Sequence, residues 1–94
     1  MSNEQVLELI GRRRRQILVH SYIYYERNAN LIDDATWSKW AEELVELQTK
    51  YPDIASLAPY SEAFKDFDAS TGFNLMPYVT GSIVHTAEIL LKND

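Results

Sequence analysis

Apolar and polar positions alternate along this chain with the period of helices. In residues 3–28, Val6, Leu7, Ile10, Ile17, Leu18, Ser21, Tyr24 and Tyr25 recur at three- and four-residue steps, the spacing of one helical face. Gly11 weakens this segment by roughly 1 kcal/mol against Ala. Asn28-Ala29-Asn30 supplies the left-handed tolerance and side-chain competition that close a helix. A second segment has Asp33 and Asp34 as capping residues, runs over 35–51 and stops at Pro52, because the residue before a proline disfavours helical geometry. Its apolar stripe is Trp37, Trp40, Ala41, Leu44, Leu47 and Tyr51. Lys39, Glu42, Glu43, Glu46 and Lys50 lie opposite, with Lys39 and Glu42, and Glu46 and Lys50, at pairing intervals. The two segments predict an antiparallel helical hairpin packed through aromatics.

Beyond Pro52 the pattern breaks into short pieces. Residues 53–57 read as one turn of helix and 59–67 as another, with Pro59 placed in a first turn. Residues 68–72, Asp-Ala-Ser-Thr-Gly, read as a loop. A third long helix is expected over 77–92, with Val79, Ile83, Ala87 and Leu90 or Leu91 on its buried stripe and Gly81 as an interior blemish or close-packing site. The expected fold is therefore all-α, a hairpin plus a C-terminal helix and one or two short helices. No repeat or linker divides residues 1–94, which read as one domain.

Composition supports folding: 46% of residues are hydrophobic and 12% aromatic, ample material for a core. Ninety-four residues are too few for a nucleotidyltransferase with its own metal-binding cleft, so a complete multi-step enzyme is not expected. The absence of cysteine removes disulfides and thiolate metal sites and fits a reducing compartment. The polar, acidic start and the shortness of runs such as Ile89-Leu90-Leu91 predict no membrane span, and the cytoplasm is the expected location.

Net charge is −5, yet four of the nine basic residues stand together as Arg12, Arg13, Arg14 and Arg15. A basic block on an acidic body suggests a local anion site, while the overall balance argues against strong binding to duplex nucleic acid. The plainer reading is that four consecutive arginines encircle a helix and pair with Glu8 and other acidic neighbours.

Candidate chemistry is sparse. His20 and His85 are the two histidines, and neither has a second ligand at metal-binding spacing, so no metal is expected. His20 reads first as a packing residue and second as an anion contact. No Gly-rich phosphate loop or nucleophile elbow is present. Asp33 and Asp34 are explained by helix capping before acid–base work. The most informative group is Tyr22, Tyr24, Tyr25, Trp37 and Trp40: aromatics crowded at one end of a hairpin suit a flat heterocycle as well as a core.

Specific wording appears at Tyr24-Tyr25, at Ile32-Asp33-Asp34-Ala35-Thr36-Trp37, at Glu43-Leu44-Val45-Glu46-Leu47 and at Lys50-Tyr51-Pro52-Asp53-Ile54. It resembles the N-terminal helical module of bacterial NAD-dependent DNA ligases, with their Tyr-rich helix, Asp-Ala-x-Tyr-Asp turn and Glu-Leu-x-x-Leu-Glu-x-x-Tyr-Pro helix. The resemblance is strong over about a third of the chain and extends weakly back to His20. It implies a pocket that closes on the nicotinamide mononucleotide (NMN) half of NAD, with Tyr24 at the first tyrosine and Asp34 at the first aspartate. Tyr25 stands where histidine or tyrosine is usual, Trp37 replaces the second tyrosine, and Ser38 replaces the second aspartate. Losing that carboxylate costs at most a few kcal/mol of ligand binding.

The adenylation domain with its nucleophilic lysine, the nucleic-acid-binding barrel, the zinc module and the C-terminal repeats have no counterpart here, so ligation is not expected. The part from Pro59 onward matches nothing in the module and is expected to cover the surface that a neighbouring domain covers in the ligase. The chain also resembles stand-alone bacteriophage or prophage proteins of Gram-positive hosts described as ligase-related. The leading expectation is a non-catalytic binding protein with a vestigial NMN or NAD pocket lined by Tyr24, Tyr25, Asp34 and Trp37. His20 or an arginine from 12–15 then meets the phosphate. The alternatives are an interaction or inhibitor protein acting on a host ligase or defence factor, and a homo-oligomeric piece whose final helix packs its apolar stripe on a copy of itself. No cofactor is expected beyond such a ligand.

Overall fold

The computed structural model describes residues 1–93 and is all-α. Its elements are α1 (Asn3–Arg27), α2 (Asp34–Lys50), α3 (Pro52–Leu57), α4 (Ser61–Phe64), a 3-10 helix (Phe73–Tyr78) and α5 (Gly81–Lys92). No described helix is long and apolar enough to cross a membrane.

Capping residues set both ends of α1 and the start of α2. Ser2 caps α1 in a capping box, its hydroxyl accepting from Gln5 N–H while the Gln5 side chain accepts from Ser2 N–H. At the other end Asn28 takes the left-handed conformation, φ 52° and ψ 40°, and its N–H reaches back to Ile23 O. Asp33 then caps α2, its Oδ1 accepting from Thr36 N–H at 2.8 Å. Asp34 is left as the first helical residue, with its carboxylate at the positive end of the helix dipole.

Helix α1 is the spine of the molecule, packing against α2, α3, the 3-10 helix and α5. Val6, Ile10, Ile17, Leu18 and Ile23 from α1 meet Ala41 and Leu44 from α2, Phe64 from α4, Leu75 from the 3-10 helix, and Ile83 and Ala87 from α5. Leu7 and Tyr24, expected on the same face of α1, are instead exposed, because the core occupies a narrower stripe than the apolar spacing implied. At Gly11 the ring of Pro59 lies directly on the helix, with Cδ 3.4 Å from where a Cβ would stand. The expected weak point of α1 is a packing surface.

The arginine block separates into four environments. Arg12 pairs with Glu8, and Arg13 Nε lies 3.4 Å from Glu43 with its guanidinium over Trp40. Arg15 reaches Ser82. Arg14 is 2% exposed and turns inward. Its Nε donates to Gln48 Oε1, its Nη1 donates to the carbonyls of Ala58 and Pro59, and Gln48 Nε2 in turn donates to Phe64 O. Burial lowers the Arg14 pKa to about 10, so the group stays charged at neutral pH. This charge clamps the hairpin to the α3–α4 connection, a role that its place among four arginines concealed.

The C-terminal part departs from expectation in its helix bounds: α4 covers Ser61–Phe64 with Pro59 outside it, and the 3-10 helix makes a third short helix where one or two were expected. The helix expected over 77–92 begins at Gly81, and Pro77 belongs to the 3-10 helix, which closes through Leu75 N–H to Gly72 O and Val79 N–H to Met76 O. Val79 and Thr80 are extended, and Thr80 occupies the N-cap position of α5. Gly81 is neither interior nor close-packed: nothing stands within 4 Å of the position a Cβ would take. Ile83 and Ala87 form the buried stripe, and it is α1 of the same chain that covers them. Leu90 is exposed, while Leu91 packs at the core margin.

Candidate functional site

Where α1 ends and α2 begins, each helix presents residues at positions i, i+1, i+4 and i+5, the spacing that puts four side chains on one face. On α1 these are His20, Ser21, Tyr24 and Tyr25; on α2 and its N-cap they are Asp33, Asp34, Trp37 and Ser38. With the connecting Asn30, Leu31 and Ile32, they enclose a cleft of about 250 Å³, closed on a further side by Ala69, Ser70, Thr71 and Gly72. Of the residues singled out in the sequence, His20, Tyr24, Tyr25, Asp34 and Trp37 line this cleft, whereas Tyr22 and Trp40 pack against the core and none of Arg12 to Arg15 reaches it.

The wall from the 68–72 loop was not legible in the sequence as part of any site. It is held by close approach. A Cβ at Gly72 would fall 2.2 Å from Ser21 Oγ and 2.9 Å from Ser21 Cβ, so a residue without a side chain is required there. Its φ of −97° is ordinary, and space alone makes the demand. The same Ser21 hydroxyl accepts from the Trp37 indole N–H at 3.2 Å, so one buried serine joins α1, α2 and the loop. Tyr25 and Thr71 share a hydroxyl hydrogen bond of 3.0 Å, and Asp68 Oδ1 accepts from both the N–H and the hydroxyl of Ser70. Those bonds hold the Asp68 carboxyl below the usual carboxylate range. The available signal was small: a serine on an otherwise apolar helical stripe, and a glycine ending a polar loop.

The cleft residues therefore divide by whether their polar atoms are already used. The Trp37 N–H, the Tyr25 hydroxyl and the Asp33 carboxylate are engaged within the chain. Hydrogen bonds from Thr36 hold Asp33 below the ordinary carboxylate range. Tyr24 is 51% exposed at the lip, edge-on to Tyr25, which is in turn edge-on to the exposed Phe73. Neither the Tyr24 hydroxyl nor the Asp34 carboxylate has a hydrogen-bond or ion-pair partner among the described residues. His20 lies at the base with its ring 5.7 Å from Trp40 and its Nδ1 buried without a partner. Burial lowers its pKa from the ordinary 6.5, so the imidazole is neutral at pH 7. Among the described residues no group of three His, Asp or Glu side chains is arranged to hold a metal ion. What remains available to a ligand is aromatic surface, one unpaired carboxylate and a set of neutral hydrogen-bonding groups.

A small all-helical chain with an aromatic and acidic cleft at the turn end of its hairpin is thus the class that fold and site define. Among proteins of known identity, the chain is similar to DNA ligases over part of its length. It is 34% identical over 53 residues, 56% of the chain, to the DNA ligases of Thermotoga petrophila and Thermotoga sp. strain RQ2. It is 35% identical over 54 residues, 57% of the chain, to the DNA ligase of Mycoplasmopsis synoviae. In each case the match spans 8% of the ligase. No family model and no solved structure matches the chain.

Proposed function

We propose that this chain is a non-catalytic binding protein whose cleft takes the nicotinamide end of a pyridine nucleotide. The observation that carries the reading is the convergence of Tyr24, Tyr25, Asp34, Trp37 and His20 on one cleft. The ligase resemblance assigns ligand contacts to Tyr24 and Asp34 and sets Tyr25 and Trp37 at substituted contact positions, and the partial match to DNA ligases supports a ligase-related origin for the chain. Chemically, Tyr24 offers a ring face and a hydroxyl at the lip, Trp37 forms a wall, and Asp34 supplies a charged acceptor for a ribose hydroxyl or a cationic ring. The reading uses no nucleophile or general base: the Asp33 carboxylate is committed to its cap, His20 packs against Trp40, and Asp34 acts as the charged acceptor for the ligand. The phage-borne origin implied by the resemblance accompanies this reading and rests on the resemblance alone.

Calorimetric titration with nicotinamide compounds including NMN and NAD, against wild type and a folded Tyr24→Ala, Asp34→Ala double variant, tests it. Saturable binding that the double variant loses is expected. Absence of heat from folded wild type at millimolar ligand contradicts the proposal. A second reading, a protein partner docking on the lip, is favoured by the adjoining exposure of Tyr24 and Phe73. It predicts that Phe73→Ala weakens a partner complex without affecting nucleotide binding.

A further inference from the structure

The charges around the cleft limit what can occupy it. Asp33 and Asp34 stand at its rim, and among the described residues no lysine or arginine lines it. The basic side chain that does line it, His20, is neutral at pH 7. The arginines of α1 are engaged elsewhere, and Arg15, the last of the block, lies roughly 8 Å along the helix axis from His20 and roughly 13 Å from Tyr24 at about 1.5 Å per residue. Arg27, in the last turn of α1, is paired with Glu88.

A helix N-terminus ordinarily attracts an anion, but at α2 the chain supplies its own. Asp33 takes the Thr36 N–H, and Asp34 follows it in the first turn. A phosphate placed in the cleft faces two carboxylates with no lining lysine or arginine to offset them. A pyridinium ring meets the opposite situation: aromatic surface from Tyr24 and Trp37, which attracts a flat cation, and the unpartnered Asp34 carboxylate. The 250 Å³ volume is near the lower end of ligand-sized pockets and suits a ring with its sugar better than a dinucleotide.

We infer that the cleft selects a dephosphorylated pyridinium nucleoside, of the nicotinamide riboside class, over the corresponding mononucleotide and dinucleotide. The inference rests on the reading of the cleft as a nicotinamide site and specifies its ligand: recognition of the cationic ring is kept, and a grip on the phosphate is absent.

The test is calorimetric titration of the whole protein at low salt with three probes: nicotinamide riboside, its uncharged reduced form, and NMN. The riboside is expected to bind about tenfold or more tightly than either of the others, in line with one unscreened charge interaction at this range. Its advantage should shrink in an Asp34→Asn variant, which keeps the size of an exposed residue, and should shrink again as salt is raised. NMN binding as tightly as the riboside overturns the nucleoside assignment while leaving the nicotinamide reading intact. Equal binding of the reduced form overturns the role of ring charge. No heat from any of the three overturns the nicotinamide reading and this inference together.

Discussion

At Gly72 a single missing Cβ lets the loop close against α1, and the consequence can be measured. Gly72→Ala forces the loop away from Ser21, since the clashing atoms include a Cβ fixed to the helix backbone and not only a hydroxyl that can rotate. We expect a loss of about 1–3 kcal/mol of stability, the range for overpacking, with loosening of the Trp37–Ser21 hydrogen bond. Urea unfolding that matches wild type contradicts this account of the wall. His20 makes a second prediction at the same scale. Its pKa is lower folded than unfolded, so the unfolded chain binds more protons between the two values. The stability it supports is complete above the unfolded value of about 6.5 and is lost as pH falls through the folded pKa. The thermal midpoint should fall between about pH 7 and pH 5 and fall less in His20→Gln; equal slopes in the two proteins contradict the assignment.

Among the elements, α1 and α2 were legible because their signals are local and agree. A 3.6-residue apolar period runs up to residues that close or open helices, and Asn28 and Asp33 take up those roles in the structure. The start of α5 was misread because Pro77 is as suitable for a 3-10 turn as for the first turn of an α-helix. The difference lies in the extended Val79 and Thr80 that follow. Arg14 was hidden for another reason: its spacing is that of the apolar stripe, but its type pointed to solvent. Its hydrogen bonds join α1 to α2 and to the α3–α4 connection, so its removal is an element-level event. Arg14→Met should cost about 2–4 kcal/mol by leaving the Ala58 and Pro59 carbonyls and Gln48 without their donor. Arg14→Lys should fail to restore the loss, because an ammonium cannot reproduce the planar fork. Chemical denaturation showing under about 1 kcal/mol of loss for both variants would contradict the clamp.

Across the whole molecule, the sequence separates charge along α1, with arginines in its middle and an acidic, aromatic cleft along its last turns. Residues from α1 and α2 that form this cleft could be named in advance because they are close in sequence and follow helical spacing. Its remaining wall could not, since Gly72 meets Ser21 across fifty-one positions and no local pattern records the encounter. The arginine block likewise drew attention to an anion, whereas the fold directs those side chains to Glu8, Glu43, Ser82 and the interior. The central claim, that the cleft at the turn end of the hairpin is the ligand site, is tested most directly by nuclear magnetic resonance. The two tryptophans give two indole N–H signals, and the Trp37 N–H lies at the cleft, bonded to Ser21. Addition of nicotinamide riboside should shift the Trp37 indole signal and the Thr71 and Gly72 amides in a saturable manner, with smaller effects at Arg12 and Arg15. Saturating ligand that leaves those signals in place, or shifts confined to the arginine face of α1, would contradict the claim.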